Sequence, residues 1–427
     1  MATAIVTGAT GITGGAIVHR LSKDPSYKKV YALSRHDPGY SDPKIQHATI
    51  DLQGSASDMA SNLSGLSAEY VYFCAYMAKE DPNELCKVNG TMLSNFIEGL
   101  EKTGGIKSLK RFILTCGFKQ YGVHLGNAKQ PMFEDDPLLE GGFGGVEWPP
   151  NFYYVQQRIL SEAVERNKGS CDWDWVVTLP EDVLGFAEGN FMNEATALGL
   201  YASVSKLLPG SELPFPGSKA GYFAFNTWTS SELHAEFCLW AATAKGVGNN
   251  IFNVTNGDTE SWQNLWPRLA ERFGCRVPET MFPHGGTPDT RGYKHYEGST
   301  VRMPSTHPLK ARAGDIGVAQ NPANEETPTL FLQIDPEKWA QRKDVNEAWA
   351  TLRDKYKLSQ KAWEKATWDF LTFALGRDWS CVGSMSKARQ FGWTGYADTW
   401  GVLEGVFERL EKEGILPHVE TLKRDFK

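Results

Sequence analysis

The sequence lacks the features that mark several large classes of protein. Its 427 residues contain no apolar run close to the roughly 18 residues that a membrane-spanning helix needs. They also contain no basic tract of the kind that binds nucleic acid, and the formal net charge is −7. No basic segment precedes a hydrophobic core at the N-terminus, so we expect no leader peptide and a cytoplasmic protein. We therefore expect neither a membrane nor a nucleic acid as a partner.

Cysteine and histidine are present, but without the spacing of metal sites. The seven cysteines are scattered, odd in number and never in C-x-x-C spacing, which predicts reduced, mostly buried thiols. The nine histidines show no H-E-x-x-H pattern, so we expect no metal. A chain of this length has room for a large core and one or two domains.

What the sequence does contain is a glycine-rich turn near its beginning. A short apolar run at residues 4–6 leads into Gly8-x-x-Gly11-x-x-Gly14, and an amphipathic stretch begins at Ala16. This is the strand–turn–helix pattern of a dinucleotide-binding βαβ unit, in which glycines permit a tight turn and helix N–H groups face the pyrophosphate. Three glycines beside a strand are also compatible with plain turn chemistry, so this reading needs support from the rest of the chain.

Strand-like and helical segments alternate after the turn. The strand-like runs lie at residues 29–35, 46–50, 69–76, 111–116, 175–180 and 250–257. This alternation predicts the α/β class, with a Rossmann-type doubly wound parallel sheet and a ligand crevice outside the carboxyl ends of its strands. We expect an NADP-binding Rossmann domain over residues 1–189, to which residues 218–258 return.

The remaining segments, 190–217 and 259–427, predict a smaller, mostly helical substrate-binding cap. The second of them is rich in tryptophan, and we expect those rings to form a core rather than ligand platforms. A long polar stretch without periodicity predicts a loop insertion at 283–328. The helical part is also the candidate surface for a homodimer.

Arg35 closes the second predicted strand, where an Asp or Glu would bind the 2′-hydroxyl of NAD. An arginine there favours the 2′-phosphate of NADPH through charge pairing, although a solvated arginine at a strand end has the same sequence. Lys119 follows the fifth strand and is expected to face the crevice. Tyr154 lies at the start of a helix that follows a loop rich in glycine and proline.

With these residues, the sequence resembles that of an extended short-chain dehydrogenase/reductase. More narrowly, it resembles the progesterone 5β-reductase/iridoid synthase-like (PRISE) group. The matching stretches are residues 7–14, 116–121, 151–154 (N-F-Y-Y), 213–217, 252–258, 375–378, 385–388 and 391–392. In that group NADPH reduces the C=C bond of an α,β-unsaturated carbonyl by 1,4-addition. The lysine after strand five and the second tyrosine of N-F-Y-Y attend the substrate oxygen.

The resemblance assigns these catalytic roles to Lys119 and Tyr154. A phenol donor and a nearby cation would stabilise the negative charge that develops on the carbonyl oxygen. The lysine would also lower the pKa of the tyrosine. The alternatives are a solvated loop lysine and an aromatic side chain packed at a helix start.

The resemblance further implies a set of NADPH contacts that runs from the pyrophosphate to the nicotinamide. They are Gly8, Thr10, Gly11, Ile12, Ser34, Arg35, Asp51, Leu52, Ala75, Tyr76, Thr115, Tyr154, Val183, Phe191 and Met192. On the substrate side the candidates are Phe118, Tyr121, Phe152 and Asn193. Their aromatic density predicts a mostly apolar small-molecule substrate.

Three positions depart from the family pattern. Arg158 stands where most short-chain reductases carry the lysine of Y-x-x-x-K. It is either a second cation that depresses the pKa of Tyr154 or a solvent-facing helix residue. Cys116 replaces a usual threonine and Leu179 a usual arginine, and both are expected to border the cofactor crevice.

Three functions are compatible with this pattern. The leading one is NADPH-dependent reduction of the activated C=C bond of a small, mostly apolar enone or enal. The second is a carbonyl reductase or epimerase with the same cofactor and the same Tyr154. The third is a non-catalytic NADP(H) sensor, against which the presence of both Lys119 and Tyr154 counts, although a fold alone never implies a function.

Overall fold

A parallel β-sheet forms the centre of the structure, which is a computed structural model that describes residues 1–142, 147–187, 192–283, 298–302, 307–318 and 329–427. Its strands and the short strands around it, within the described residues, are β1 Ala2–Thr7, β2 Tyr27–Ser34, β3 Ile45–Thr49, β4 Tyr70–Phe73, β5 Arg111–Thr115, β6 Asp174–Pro180, β7 Val183–Leu184, β8 Phe225–Asn226, β9 Thr229–Ser230, β10 Asn250–Val254, β11 Glu260–Ser261, β12 Ser299–Arg302 and β13 Thr329–Leu332. The main sheet has seven strands in the order β10-β6-β5-β4-β1-β2-β3. All pairs of neighbouring strands in this sheet are parallel, which confirms the predicted doubly wound sheet.

Helices cover both faces of this sheet, and the helices that follow the sheet in the chain form a further layer. In the described part of the chain they are α1 Ile12–Lys23, α2 Ala56–Leu63, α3 Pro82–Thr103, α4 Phe152–Asn167, α5 Glu194–Ser205, α6 Lys219–Phe223, α7 Ser231–Thr243, α8 Trp262–Phe273, α9 Pro336–Gln341, α10 Lys343–Tyr356, α11 Gln360–Glu364, α12 Trp368–Gly376, α13 Ser386–Gln390, α14 Thr399–Lys412 and α15 Val419–Asp425. None of these described helices combines the length and the apolar composition that a membrane crossing requires.

The sheet is buried because its strands are apolar on both faces. In β1, Ala4 and Val6 pack with Ile17 of α1 in one cluster, whereas Ile5 packs with Phe96 of α3 in another. Successive side chains of a strand point to opposite faces, so a continuous apolar run serves both layers. Helices α1 and α7 lie together in the first layer, and α2, α3 and α4 lie in the second.

The C-terminal helices enclose a separate aromatic core. Helix α5 is buried along its whole length and is surrounded by α8, α10, α12 and α14. Trp228, Trp266 and Trp349 are among the largest side chains that are fully buried there. Trp266 and Trp349 belong to the segment 259–427, so the expectation that the tryptophans of this segment form a core is confirmed for these two rings.

The predicted loop insertion at 283–328 lies mostly outside the described residues. Its described part contains β12, which pairs antiparallel with β13, and a short 3₁₀ turn at Pro308–Arg312. The backbone N–H of Leu309 donates to the carbonyl of Asn127 at 2.9 Å. This described part of the insertion therefore contacts the loop that follows β5.

Candidate active site

A cavity of about 520 Å³ lies at the carboxyl ends of β1, β2, β4, β5 and β6. This is where parallel α/β sheets bind their ligands. The predicted site residues that line it are Gly8, Thr10, Gly11, Ile12, Ser34, Arg35, Asp51, Leu52, Ala75, Tyr76, Thr115, Phe118, Lys119, Phe152, Val183 and Met192. Sixteen of the predicted site residues therefore lie together at this one cavity.

The glycine turn forms one end of the cavity. Gly8 has a φ of 64°, and a Cβ added to it would lie 2.9 Å from the carbonyl oxygen of Cys74. A Cβ on Gly14 would overlap the carbonyl oxygen of Gly8, so helix α1 packs directly on the turn. Gly11 caps α1 without a side-chain hydrogen bond, and the first turn of α1 has no acidic residue. This close, uncharged backbone cradle at a helix N-terminus fits the pyrophosphate of a dinucleotide.

Ser34 and Arg35 lie where β2 ends. The hydroxyl of Ser34 donates to the carbonyl of His36 at 2.7 Å, and its oxygen lies 3.0 Å from Nε2 of His47. Arg35 is exposed at the cavity and has no ion pair with a described residue. Its guanidinium is thus available to an anionic group beside the ribose.

Lys119 lies on the short turn after β5 and lines the cavity. Burial lowers the pKa of its ammonium, whose Nζ lies 6.0 Å from the ring centroid of Tyr76. No described carboxylate pairs with it. Its positive charge is therefore available to a ligand in a partly dry site.

His124 lines the cavity close to Lys119, and the sequence analysis missed it. Burial, with a contribution from the Lys119 charge, lowers the pKa of His124 to about 3, so the imidazole is neutral. Its Nδ1 is sealed from solvent without a hydrogen-bond partner among the described residues. The signal that could have found it is its place in the sequence, five residues after Lys119 in the segment that follows β5.

The two tyrosines of N-F-Y-Y point in different directions. Tyr153 lines the cavity, and a Cβ added to Gly117 would lie 3.0 Å from its hydroxyl oxygen. Tyr154 is 2% exposed; its hydroxyl donates to the carbonyl of Gln120 at 2.6 Å and accepts from the N–H of Leu139 at 3.2 Å. The prediction that Tyr154 faces the cofactor is wrong, because neighbours on a helix are rotated by about 100° and only Tyr153 has the correct orientation.

Both phenols remain protonated at neutral pH. Burial raises the pKa of Tyr153 well above its usual range, with further increases from Cys116 and Tyr76, and burial raises that of Tyr154 to about 12. Lys119 is not among the groups that shift either pKa. The expectation that Lys119 lowers the pKa of Tyr154 is therefore wrong, and the phenol in the cavity is a neutral hydrogen-bond donor.

Arg158 has the simpler of its two predicted roles. It forms an ion pair with Glu140 at 2.6 Å, and about half of each side chain is exposed. Glu140 raises the pKa of Tyr154, and Arg158 does not contribute to the pKa of that tyrosine. The interpretation of Arg158 as a second cation is wrong, and its interpretation as a solvent-facing helix residue is confirmed.

Two residues that were predicted to contact the substrate form hydrogen bonds in the interior of the fold instead. The hydroxyl of Tyr121 donates to Oδ1 of Asn253 at 2.6 Å, and neither residue lines the cavity. The side chain of Asn193 caps helix α5 by accepting from the N–H of Thr196 at 3.2 Å, and it is buried. The prediction that Tyr121 and Asn193 face the substrate is wrong, because each has a buried polar partner. Phe191 lies outside the described residues.

The wall opposite the sheet comes from a part of the chain that the sequence analysis did not assign to the site. Phe370 and Phe373 of α12 line the cavity, with ring centroids 6.5 Å apart. Their i, i+3 spacing places them on one helix face, but nothing in the local sequence shows what that face covers. Cys116 borders the cavity as expected, whereas Leu179 is fully buried in the sheet core, so its expected position at the crevice is wrong.

The lining contains further residues that the prediction did not include. They are Thr13, Leu33, Ile50, Gln53, Cys74, Met77, Met92, Gly117, Val123, Gln156, Pro180, Glu181 and Asp182. Many of them directly adjoin predicted residues at strand ends. They include both apolar side chains, such as Met77 and Met92, and polar ones, such as Gln156 and Asp182.

Comparison with known proteins identifies the family to which the chain belongs. The chain matches the family model described as "PRISE-like Rossmann-fold domain" over residues 4–296. It is 37% identical to an uncharacterised protein of Schizosaccharomyces pombe, over 97% of this chain and 98% of that protein. It is 32% identical to the 3-oxo-Delta(4,5)-steroid 5-beta-reductase of Arabidopsis thaliana, over 66% of this chain and 71% of the reductase.

A solved structure shares the fold over almost the whole chain. The UDP-glucose 4-epimerase of Thermotoga maritima has a TM-score of 0.55 and covers 96% of this chain and 99% of its own, at 14% sequence identity. At this identity the likeness concerns the fold alone. With the family match, the glycine turn and the cavity at the strand ends, the chain belongs to the PRISE-like Rossmann-fold family.

Proposed function

We propose that this chain is an NADPH-dependent reductase that saturates the activated C=C bond of a small, mostly apolar enone or enal by 1,4-addition. The coarser activity, that of an oxidoreductase of the short-chain dehydrogenase/reductase type with a nicotinamide cofactor, is supported by the family match and by the cavity. The observation that carries the finer proposal is the presence in one cavity of a neutral phenol, Tyr153, and of the Lys119 ammonium, which forms no ion pair with a described carboxylate.

The residues present fit the proposed cofactor from end to end. The glycine turn and the N-terminus of α1 would hold the pyrophosphate, and Arg35 would pair with a 2′-phosphate. Val183 and Met192, beyond the end of β6, would contact the nicotinamide. When bound, the cofactor supplies a hydride. A negatively charged 2′-phosphate explains why an arginine rather than an acidic residue stands at the end of β2.

Tyr153 and Lys119 would act on the oxygen of the substrate. Addition of hydride at the β-carbon moves negative charge onto that oxygen, so groups that bind the charged form accelerate the reaction. The phenol of Tyr153 donates a hydrogen bond, and the ammonium of Lys119 supplies a charge that no described carboxylate neutralises. Lys119, Tyr153 and Tyr76 line the same cavity, and Nζ of Lys119 lies 6.0 Å from the ring centroid of Tyr76.

The aromatic lining supports an apolar substrate. Phe118 and Phe152 come from the sheet side of the cavity, and Phe370 and Phe373 come from α12. A hydrocarbon frame would displace water from these rings, whereas a hydroxyl-rich sugar would lose hydrogen bonds to water there without replacing them. The name of the reductase from Arabidopsis thaliana indicates a steroid enone as the compound on which that relative acts.

The test compares substitutions at the two adjacent tyrosines. The purified chain is assayed for NADPH consumption with a cyclic enone, an enal, and the matching saturated ketone and aldehyde, and the products are identified by NMR. We expect turnover of the unsaturated compounds only, with the C=C bond reduced. We expect Tyr153→Phe to lower kcat about a hundredfold, which is typical of the loss of one donor to an oxyanion.

Tyr154→Phe is the matched control. It removes a buried hydroxyl from the same helix, so we expect kcat within about twofold of the wild type and a loss of about 1–2 kcal/mol in the free energy of unfolding. Reduction of the saturated carbonyl compounds instead of the C=C bond would show a carbonyl reductase. Equal losses of kcat in the two variants would remove Tyr153 from its proposed role.

A further inference from the structure

A buried ion pair joins the sheet to the C-terminal helices beside the cavity. Arg377 follows α12, and its guanidinium donates to the carboxylate of Asp182, which lies between β6 and β7. The two side chains are only 3% and 11% exposed. Asp182 itself lines the cavity. The pair therefore connects two segments that are 195 residues apart in the chain.

The backbone at Asp182 is unusual. Its φ is 26°, in a region that residues other than glycine rarely adopt. The flanking residues are held in place: the N–H of Glu181 donates to the hydroxyl of Thr229 at 2.8 Å, and Val183 pairs with Thr229 in a short parallel ladder. Such a conformation persists only where the surroundings impose it, and it often occurs in binding sites.

The same guanidinium also contacts an aromatic ring of α12, the helix that Arg377 itself caps. Its central carbon lies 5.3 Å from the ring centroid of Phe373, within the range of a cation–π contact. Phe373 and its neighbour Phe370 line the cavity. A single side chain, that of Arg377, therefore touches the turn on the sheet side and the aromatic ring on the helix side.

The surrounding charges make Asp182 the acid that pairs with Arg377. Two further carboxyl groups, those of Glu181 and Glu194, are buried nearby. Their partners are hydroxyl and indole groups, since Thr227 donates to Glu181 and the Nε1 of Trp228 donates to Glu194 at 3.1 Å. Burial, with a contribution from Asp182, raises the pKa of both glutamates, that of Glu194 to about 8. Asp182 is thus the carboxylate that balances the guanidinium.

We propose that Arg377 is a positioning residue for the substrate end of the cavity. Its guanidinium holds the strained Asp182 turn and the Phe370–Phe373 face of α12 at one fixed separation. The width of the cavity between the sheet and α12 is set by this contact. The proposal goes beyond the proposed reductase function and uses that function for one of its two readouts.

The first experiment uses kinetics with a matched control. Arg377→Lys keeps the positive charge but loses the planar fork that spans both partners. We expect the KM for the enone to rise about tenfold, and the Kd for NADPH, measured by fluorescence, to stay within about twofold. The control is Arg272→Lys. Arg272 forms a buried ion pair with Glu411 at 2.7 Å and also stacks on aromatic rings, but neither residue lines the cavity.

Arg272→Lys is expected to lower stability without changing the KM for the enone. A second variant, Arg377→Met combined with Asp182→Asn, removes both charges and so leaves no unpaired buried ion if Arg377→Lys fails to fold. We expect it to raise the KM as Arg377→Lys does. An unchanged KM in folded Arg377→Lys, or equal changes of KM and NADPH Kd, would overturn the proposal.

The second readout does not depend on turnover. Amide hydrogen exchange of the intact chain reports local opening. We expect Arg377→Lys to accelerate exchange about tenfold at residues 181–184 and at residues 370–373 together, whereas Arg272→Lys leaves both segments unchanged. Acceleration in only one segment, or in neither, would contradict the positioning role. A wild type that turns over no enone while the exchange result holds would reject the proposed function and leave the positioning role of Arg377 intact.

Discussion

The two ends of the cavity are built in different ways. The nucleotide end consists of backbone turns whose residues are neighbours in sequence, such as Gly8 and Gly11, joined by a hydrogen bond of 2.9 Å. The end proposed for the substrate is lined by side chains from distant segments, such as Asp182 and Phe373, which both contact the buried Arg377. The geometry of the nucleotide end requires glycines, because a side chain would clash there. The geometry of the substrate end requires buried charged groups and aromatic rings. The two ends should therefore respond to different substitutions.

The largest effect is expected at the nucleotide end. Gly14→Ala places a methyl group against the backbone of Gly8, where the turn must open to admit it. We expect the Kd for NADPH to rise more than a hundredfold, because the cradle for the pyrophosphate is lost. The measurement is a fluorescence titration of the purified variant with NADPH.

Gly15→Ala is the control for that substitution. Its added methyl group would lie 3.5 Å from the carbonyl oxygen of Ala9, which is ordinary contact. We expect unchanged NADPH binding and slightly higher stability, since alanine favours helix more than glycine does. Equal losses of binding in the two variants would show that the difference between the two glycines is not steric.

The second effect concerns pH and Glu194, a buried carboxyl group that interacts with Asp182 but does not itself line the cavity. The pKa of Glu194 is raised from 4.5 to about 8 by burial and by Asp182, so the folded chain holds a proton there that the unfolded chain loses. This contribution to stability is complete below about pH 4.5 and is lost as the pH rises to about 8, by up to about 1.4 kcal/mol per pH unit. Glu194→Gln should remove this slope, and urea unfolding from about pH 6 to 8 measures it. Parallel pH profiles of the wild type and the variant would show that Glu194 does not bind the proton.

The smallest effect is expected at Arg35, a single exposed side chain at the nucleotide end. Arg35→Ala should lower the ratio of kcat/KM for NADPH to that for NADH about tenfold, because one charge-assisted contact to the 2′-phosphate is removed. Arg20→Ala is the control, since Arg20 forms an exposed pair with Glu236 at 3.1 Å and does not line the cavity. An unchanged ratio in Arg35→Ala would locate the choice between NADPH and NADH elsewhere.

The same contrast explains what the sequence could predict. The strands and the glycine turn have local signals: apolar runs such as Ala4–Ile5–Val6 and glycines at fixed spacing. These signals located the sheet and its carboxyl edge, and most of the predicted site residues line the cavity at that edge. The aromatic wall could not be predicted, because the positions of Phe370 and Phe373 depend on how α12 packs against α5, α6 and α9.

The errors at single residues have physical causes as well. Tyr153 and Tyr154 are identical side chains in adjacent positions, and only the helix rotation decides which one reaches the cavity. Tyr121 and Asn193 lie on segments near the site, but each is bound by a polar partner that the sequence does not reveal. A side chain that is bound to a buried hydrogen-bond partner stabilises the fold instead of facing a ligand. Such hydrogen bonds depend on the tertiary structure and not on the local sequence.

The order of the segments in the chain determines the order in which the parts of the cavity are synthesised. All seven strands of the sheet are complete at Val254, whereas α12 begins at Trp368. At the usual rate of translation the ribosome needs about ten seconds to make the chain between them. The strands and the glycine turn of the nucleotide end are thus synthesised before the helix that contributes Phe370 and Phe373 to the cavity.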